Sequence, residues 1–194
     1  MIRESYHVQK GDWCLVHAAA GGVGLWLCQL IKAVGGRVIA TASTPGKLSL
    51  AQAYGAEELI NYKTEDWVSR VKAITGGFGA KAIFDGVGAS TFEGDLEAVA
   101  RKGYVVSFGN ASGAVPPLTI ARLGAKNVAV LRPRLFGYIE TEEEWRGYCD
   151  ELFALVGEGK VKVKIHQEYD IKDVRQAHID IEGRGTTGKL LLKF

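Results

Sequence analysis

Short apolar runs alternate with longer amphipathic stretches along the first two thirds of the chain. The runs are rich in β-branched and aromatic residues, as buried strands are, and the stretches between them have the length of helices. This alternation is typical of an α/β fold in which helices cover both faces of a parallel sheet. We predict six strands, at residues 14–17, 38–41, 59–61, 82–85, 105–108 and 128–131.

Cap and turn residues mark the ends of the predicted helices. Thr44 and Pro45 supply a cap and a first-turn proline for a helix over 47–54, and Gly55 supplies its stop. Beyond the sixth strand the alternation changes. Four elements are predicted there: a long helix over 142–156 capped at Thr141, a strand from residue 161, a shorter helix over 173–181 and a last strand over 189–194.

A glycine-rich loop, Ala18 to Gly24, joins the first predicted strand to the first helix. It matches the G-x-G-x-x-G fingerprint except that alanine replaces the first glycine. In such a loop the backbone N–H groups and the helix N-terminus hold a pyrophosphate. The surrounding strand, helix and second strand form the βαβ unit that the fingerprint requires, so we predict a dinucleotide site rather than a glycine-rich turn without a ligand.

No carboxylate follows this loop until Glu57. NAD-binding units place an acid about twenty residues beyond the loop to hold the adenosine ribose. Residues 41–44 of this chain read Thr-Ala-Ser-Thr instead. A carboxylate there would repel a 2′-phosphate by about 4 kcal/mol at about 4 Å and an effective dielectric of about 20. Ser43, Thr44 and Lys47 can instead bind that phosphate, so we predict NADPH over NADH. The alternative for Lys47 is an ordinary, solvated helix lysine.

Composition narrows the possible partners and compartment. The net charge is only +2, from 24 basic and 22 acidic residues, so we expect neither nucleic acid nor a membrane surface as a partner. The three cysteines are far apart and have no C-x-x-C spacing. They predict neither a disulfide framework nor a zinc cluster, and they favour the reducing cytoplasm. Because residues 1–5 lack the apolar core of a signal peptide and no apolar run reaches membrane-spanning length, we expect neither a secretion signal nor a membrane span.

Five segments give the chain a specific family resemblance over nearly its whole length. They are residues 16–24, residues 55–56 with 59–62, residues 84–88, residues 107–113 and residues 132–139. Together they resemble the zeta-crystallin-type quinone oxidoreductases, the zinc-free and NADPH-using branch of the medium-chain dehydrogenases/reductases, and its fungal members in particular. The resemblance implies a Rossmann-type, doubly wound sheet of six parallel strands. It also implies hydride transfer from NADPH to a quinone or related enone, by a homodimer.

The same resemblance assigns cofactor contacts to residues that follow the strand ends. Gly22 and Val23 would contact the pyrophosphate, while Ser43 and Lys47 would hold the 2′-phosphate with Tyr62 beside it. The full implied set is Ala20, Gly21, Gly22, Val23, Ser43, Lys47, Tyr62, Gly86, Val87, Phe108, Gly109, Asn110, Ala111, Pro133, Leu135, Phe136 and Arg184. Read from the residues alone, Tyr62 is also consistent with a packing role, and the glycines and Asn110 with ordinary turns. No catalytic residue and no metal ligand is assigned.

In this family a barrel-like, GroES-like catalytic domain precedes the dinucleotide-binding domain and is completed by the last strands. The resemblance therefore implies a dinucleotide-binding domain over 1–157 and a returning piece of the catalytic domain over 158–194. It also implies that the N-terminal catalytic domain lies outside these residues and that the chain is the cofactor-binding half. The homodimer would form through the last sheet strand, near Val128 and Leu131, unless the following loop or helix covers that edge.

Three other functional classes share some features with this sequence. Tyr6 and Lys10 have the spacing of the short-chain dehydrogenase pair, but they precede the first strand instead of lying on a later helix. A methyltransferase would also need the acid that is missing near Thr41. A non-catalytic NADPH-binding protein, either structural or RNA-binding, stays open as an alternative, although composition does not favour it. His17 is expected to be an interior histidine with satisfied hydrogen bonds.

Overall fold

The computed structural model describes residues 1–183 and 185–194. Six parallel strands form one sheet in the order β3-β2-β1-β4-β5-β6. This order reverses direction beside β1, which is the topology of doubly wound dinucleotide-binding folds. The strands are β1 (Trp13–Val16), β2 (Arg37–Ala42), β3 (Glu58–Asn61), β4 (Ala80–Asp85), β5 (Val99–Ser107) and β6 (Ala129–Leu131).

Helices connect these strands and continue beyond the sheet. They are α1 (Gly22–Ala33), α2 (Pro45–Ala53), α3 (Trp67–Ile74), α4 (Phe92–Ala98), α5 (Ala121–Gly124), α6 (Glu142–Gly157) and α7 (Val174–Glu182). The predicted caps are confirmed. Thr44 accepts a hydrogen bond from the Lys47 N–H at 3.3 Å, and Thr141 forms a capping box with Glu144. Gly55 ends the α2 region with φ of +111°, a conformation that glycine adopts without strain.

The central strands are buried on both faces, as parallel strands between two helix layers must be. Val16 and Phe84 belong to the apolar cluster on one face, whereas Leu15 and Ile83 belong to the cluster on the other. All four side chains are fully buried. This two-sided burial explains why short, continuous apolar runs predict these strands correctly.

The predicted fifth strand is too short, because β5 begins at Val99 rather than at residue 105. Polar, exposed residues interrupt its apolar pattern, and Lys102 has a positive φ of 58°. The pairing register with β4 shifts between Ala80 and Ala82. The early part of β5 is thus an irregular strand that an apolar-run criterion misses.

The predicted strand from residue 161 is also wrong, since β7 begins only at Ile165. The backbone of Lys162 makes its hydrogen bonds with a side chain of α1 instead of a neighbouring strand. Its N–H donates to Gln29 Oε1 at 2.7 Å, and its carbonyl accepts from Gln29 Nε2 at 3.1 Å. Val161 is buried beside this contact, so the segment is anchored without being a strand.

A second, two-stranded parallel sheet follows the main one. It consists of β7 (Ile165–Asp170) and β8 (Lys189–Lys193). Just before β8, the Gly188 N–H donates to the Ala20 carbonyl at 3.2 Å, so the C-terminal segment contacts the glycine-rich loop. Within the described ranges, no helix is both long and apolar enough to cross a membrane.

Candidate cofactor site

The predicted site residues follow the ends of parallel strands, and these ends share one edge of the sheet, here called the carboxyl edge. The glycine-rich loop between β1 and α1 lies at its centre. The loop begins at Ala18, which has a positive φ of 50°, and closes when the Gly21 N–H donates to the Ala18 carbonyl at 2.9 Å. The Ala19 N–H donates to the Thr41 carbonyl at 3.1 Å, which ties the loop to β2.

Helix α1 approaches this loop more closely than a side chain would allow at Gly24. A Cβ there would lie 2.5 Å from the Ala18 carbonyl oxygen and 2.7 Å from backbone atoms of Ala19. The helix begins after Gly21, which makes no side-chain cap, and its first turn has no acidic residue. Its N-terminus therefore presents backbone N–H groups and a positive dipole end, the arrangement that binds a phosphate.

The second part of the edge lies where β2 and β3 end. Ala42 pairs with Asn61, so Ser43 and Tyr62 leave the sheet at the same level. Tyr62 has a side chain in contact with solvent, with 48% of its surface exposed. Lys47 lies in the first turn of α2, next to the Thr44 cap. This corner thus combines hydroxyl groups and a lysine, in agreement with the composition expected for a 2′-phosphate site.

Glu57, the first acid after the glycine-rich loop, is at the opposite edge of the sheet. Its N–H donates to the Val38 carbonyl near the start of β2, and its carboxylate pairs with Arg37 at 2.6 Å. The bond to Arg37 lowers the pKa of Glu57, against a small opposing effect of burial. This carboxylate cannot reach a ribose bound at the carboxyl edge.

The third part of the edge is a pair of loops after β4 and β5, residues 86–88 and 108–113. Three backbone hydrogen bonds join these loops. The Phe108 N–H donates to the Asp85 carbonyl at 2.8 Å, and the Ala111 N–H donates to the Gly86 carbonyl at 3.2 Å. The Ser112 N–H donates to the Val87 carbonyl at 2.7 Å. A Cβ on Gly86 would lie 2.7 Å from the Phe108 ring. The two loops are therefore packed directly on each other.

A cavity of about 350 Å³ opens beside these loops. Four predicted site residues line it together, namely Val23, Phe108, Pro133 and Leu135. The other lining residues, which the sequence did not indicate, are Met1, Glu4, Ser5, Tyr138, Ile139 and Tyr148. The walls are mainly apolar and aromatic, with a polar end where the Tyr148 hydroxyl donates to Glu4 Oε1 at 3.0 Å. Such a cavity suits a flat ring with a few polar groups.

Not every predicted residue joins this cavity. Phe136 follows Leu135 in a short 3₁₀ turn but does not line the cavity, and its side chain is 79% exposed. Asn110 and Ala111 are exposed on the loop after β5. Arg184 lies outside the described residues.

Arg132 was not among the predicted site residues, although its hydrogen bonds stabilise one of the site loops. Its guanidinium Nη1 donates to the Ser107 carbonyl at 2.9 Å and to the Gly109 carbonyl at 3.2 Å. These bonds fasten the segment after β6 to the end of β5. The sequence offers only an arginine before a proline, which carries no sign of this tertiary contact.

His17, at the foot of the glycine-rich loop, is buried and has a partner at each ring nitrogen, as expected. Thr41 Oγ1 lies 2.9 Å from Nδ1, and Asp95 Oδ1 lies 2.9 Å from Nε2. The ring edge packs against Trp67 at 4.7 Å between centroids. Burial disfavours a charge on His17, but Asp95 and Asp85 outweigh this effect and raise its pKa. Burial, opposed by His17 and reinforced by Asp85, raises the pKa of Asp95 to about 6.

The described residues contain no group of three or more histidines, cysteines, aspartates and glutamates placed to hold a metal ion. The three cysteines are unpaired, and two of them, Cys14 and Cys28, are buried. Burial raises the pKa of each of these two thiols to about 12, so they are protonated packing residues.

Comparison with known proteins gives the chain its relatives. Residues 22–154 match the model of the zinc-binding dehydrogenase family. Quinone oxidoreductase 1 of Escherichia coli is 43% identical over 99% of this chain and 60% of its own length. A probable quinone oxidoreductase of Schizosaccharomyces pombe is also 43% identical, over 99% of this chain and 58% of its length, so bacterial and fungal relatives are equally similar.

A solved structure supports the same relationship. The E. coli quinone oxidoreductase complexed with NADPH superposes with a TM-score of 0.94 at 43% identity, covering 98% of this chain and 60% of that one. The chain thus spans about 60% of the length of the curated relatives that it matches. Because the family model covers most of the sequence and the doubly wound sheet is present, the chain belongs to the zinc-binding dehydrogenase family of the medium-chain dehydrogenases/reductases.

Proposed function

We propose that this chain binds NADPH and forms the cofactor-binding part of an NADPH-dependent quinone oxidoreductase. One observation carries the choice of cofactor. At the end of β2, beside the glycine-rich loop, the chain has Ser43, Thr44 and Lys47 in place of an acid. The NADPH complex of the E. coli relative supports the same choice.

Each part of the carboxyl edge has a distinct role in this proposal. The backbone N–H groups of Gly22 and Val23 hold the pyrophosphate at the start of α1. Ser43 and Lys47 hold the 2′-phosphate, and the exposed Tyr62 ring lies beside it. Residues 86–88 and 108–111, the side chains of Pro133, Leu135 and Phe136, and Arg184 are assigned to the nicotinamide side.

The cavity beside Phe108 is the proposed place of reaction. NADPH, when bound, supplies a hydride to the quinone or enone, whose oxygens take their protons from water. The protein orients the two reactants and keeps water from the reacting carbon, for which apolar walls such as Val23, Phe108 and Leu135 are suited. This assignment needs no acid or base in the chain, and no residue is proposed as catalytic.

Four further properties belong to the proposal. Residues 1–157 form the dinucleotide-binding domain, and residues 158–194 belong with a GroES-like catalytic domain. The reaction is independent of zinc. The three unpaired cysteines favour a reducing compartment, the cytoplasm. The protein is a homodimer that pairs through the outer edge of β6, which has β5 on its other side.

Replacing Lys47 by alanine tests the cofactor choice. Loss of a charge-assisted bond to the 2′-phosphate, at about 1.5 to 3 kcal/mol, raises the NADPH dissociation constant by about tenfold to a hundredfold. The NADH dissociation constant changes by less than about twofold, because NADH lacks that phosphate. Lys72→Ala is the matched control, since Lys72 is an exposed helix lysine in the last turn of α3. Isothermal titration calorimetry measures the dissociation constants of both nucleotides. An equal loss of affinity for NADPH and NADH would contradict the assignment.

Turnover tests the assignment of the chain to one part of an enzyme. We expect NADPH binding both by this chain and by a version extended with the N-terminal region of the E. coli relative. Only the extended protein should oxidise NADPH rapidly with a simple quinone, because it supplies the opposite wall of the reaction site. The absorbance of NADPH follows the reaction. Comparable turnover by the two proteins would show that this chain suffices for the reaction.

Sedimentation tests the proposed homodimer. At micromolar concentration we expect a dimer, and Val130→Pro should convert it to a monomer because proline disturbs strand pairing at β6. Val115→Pro, in the irregular segment before α5, is the control for a proline placed outside a strand. A monomeric native protein would refute the dimer.

A further inference from the structure

A buried polar cluster lies directly beneath the cofactor loops and has no role in the function proposed above. Its members are His17, Thr41, Asp85 and Asp95, and none is more than 3% exposed. His17 precedes the glycine-rich loop, and Asp85 precedes the loop 86–88. Two carboxyl groups and an imidazole thus share one small, water-poor space at the base of the site.

The donors around the two carboxyl groups are distributed unequally. Asp85 accepts from the Val87 N–H at 2.6 Å, from the Gly88 N–H at 3.2 Å and from the Thr91 hydroxyl at 2.9 Å. Asp95 Oδ1 faces His17 Nε2, but Asp95 Oδ2 is buried and has no hydrogen-bond partner within residues 1–183 and 185–194. A buried carboxylate oxygen without a donor is costly, so this atom requires an explanation.

The Asp85 carboxyl helps to raise the pKa of Asp95, both by its charge and by a side-chain hydrogen bond. Two adjacent, fully buried carboxyl groups do not both ionise readily, because like charges repel strongly where water is excluded. Since the donors already point at Asp85, the proton belongs on Asp95. A proton on Oδ2 converts the orphaned atom into a donor to Asp85. The raised pKa of His17 concerns the same proton, but a proton on His17 would leave Asp95 Oδ2 without a partner. With the proton on Oδ2, the neutral His17 donates from Nε2 to Oδ1 and accepts from Thr41 at Nδ1, so each of these polar atoms has a partner.

The titratable groups that act on Asp95 come from the neighbouring strand ends. They are His17, which follows β1, and Asp85, at the end of β4. From α3, the uncharged side chains of Trp67 and Val68 lie against Gly94, the residue before Asp95. Two charged groups contact α4 from the α5 side, but Arg122 pairs with Glu93 and Lys126 donates to the Leu96 and Glu97 carbonyls. The charge state of Asp95 is thus set by burial and by these two groups.

We propose that Asp95 is a positioning residue whose proton, shared with Asp85, holds the loop 86–88 in the form that binds the cofactor. The Asp85 carboxylate accepts hydrogen bonds from the Val87 and Gly88 N–H groups, and the Val87 carbonyl in turn accepts from the Ser112 N–H. When the proton leaves to solvent, the two carboxylates repel each other beneath these loops. Cofactor affinity then falls. The statement about affinity depends on the proposed NADPH site, whereas the shared proton does not.

The sign of the pH effect follows from the direction of the pKa shift. The pKa of Asp95 is raised by folding to about 6, so the protonated form favours the folded state. This contribution is complete below the ordinary aspartate pKa and is lost as the pH rises through about 6. The native protein should therefore lose stability relative to a permanently neutral variant between about pH 4 and pH 7.

Asp95→Asn supplies that variant, because its amide accepts from His17 and donates permanently to Asp85. At pH 4 we expect its folding equilibrium constant, measured by urea unfolding, to match that of the native protein within about twofold. At pH 8 its folding equilibrium constant should exceed the native one by about tenfold to a hundredfold. Asp85→Asn is the matched contrast. Its side-chain NH₂ group, which is itself a donor, would face the N–H and O–H donors from which the Asp85 carboxylate accepts. This variant should therefore be less stable than the native protein at every pH.

Cofactor binding is then measured with the acid-stable forms NADP⁺ and NAD⁺. The native dissociation constant for NAD⁺ should rise about fivefold from pH 5.5 to pH 7.5, while that of Asp95→Asn for NAD⁺ stays flat. NAD⁺ removes the titration of the 2′-phosphate, which also occurs near pH 6. Failure of both nucleotides to bind would refute the proposed function, and the unfolding series would still decide the shared proton.

The carboxyl carbon of Asp95 gives a direct test in the native protein. Its NMR chemical shift should titrate with a midpoint near pH 6, in agreement with a shared proton. A midpoint at or below 4, or an Asp95→Asn variant that is unfolded or less stable than the native protein at pH 8, would overturn the proposal. A flat native pH dependence of NAD⁺ affinity would overturn the link between the proton and the loop.

Discussion

Backbone packed against backbone is the constraint on which the carboxyl edge depends. At Gly24 the first helix touches the turn that leaves β1, and the loops after β4 and β5 meet in the same way at Gly109, whose Cβ would collide with the Gly86 carbonyl. Close approach brings amide groups, rather than side chains, to the surface of the site. A phosphate is bound well by such amides because they are fixed in direction and need no reorganisation. The side chains around them then select the nucleotide.

In the proposed site, the residues that follow β2 determine which nucleotide is preferred. A doubly wound fold provides the same pyrophosphate platform to many enzymes, so the platform alone does not define the ligand. In this chain Ser43, Thr44 and Lys47 stand at that strand end, and the next acid, Glu57, is bound to Arg37 at the far edge. In the proposed site, the lysine at this strand end and the absence of an acid there both favour a cofactor with a 2′-phosphate.

The six main strands were predictable because β1, β2 and β4 are apolar on both faces, which makes their sequence runs continuous. The start of β5 was missed because exposed Arg101 and Lys102 interrupt its apolar pattern. The glycine-rich loop was readable because its chemistry is local. The aromatic cavity wall, the brace from Arg132 and the Asp85–Asp95 pair were not, since each joins residues that are far apart in the chain and are brought together only by packing.

If NADPH binds at the carboxyl edge of the sheet, the amides of that edge must respond to it. In a ¹⁵N–¹H NMR titration of the chain with NADPH, we expect shifts in the amides of the glycine-rich loop, of residues 43–47 and of residues 86–88. The amides of Gly35 and Gly76, which precede strands at the opposite edge, should not move. Shifts centred on that opposite edge, or no shifts at millimolar NADPH, would contradict the account.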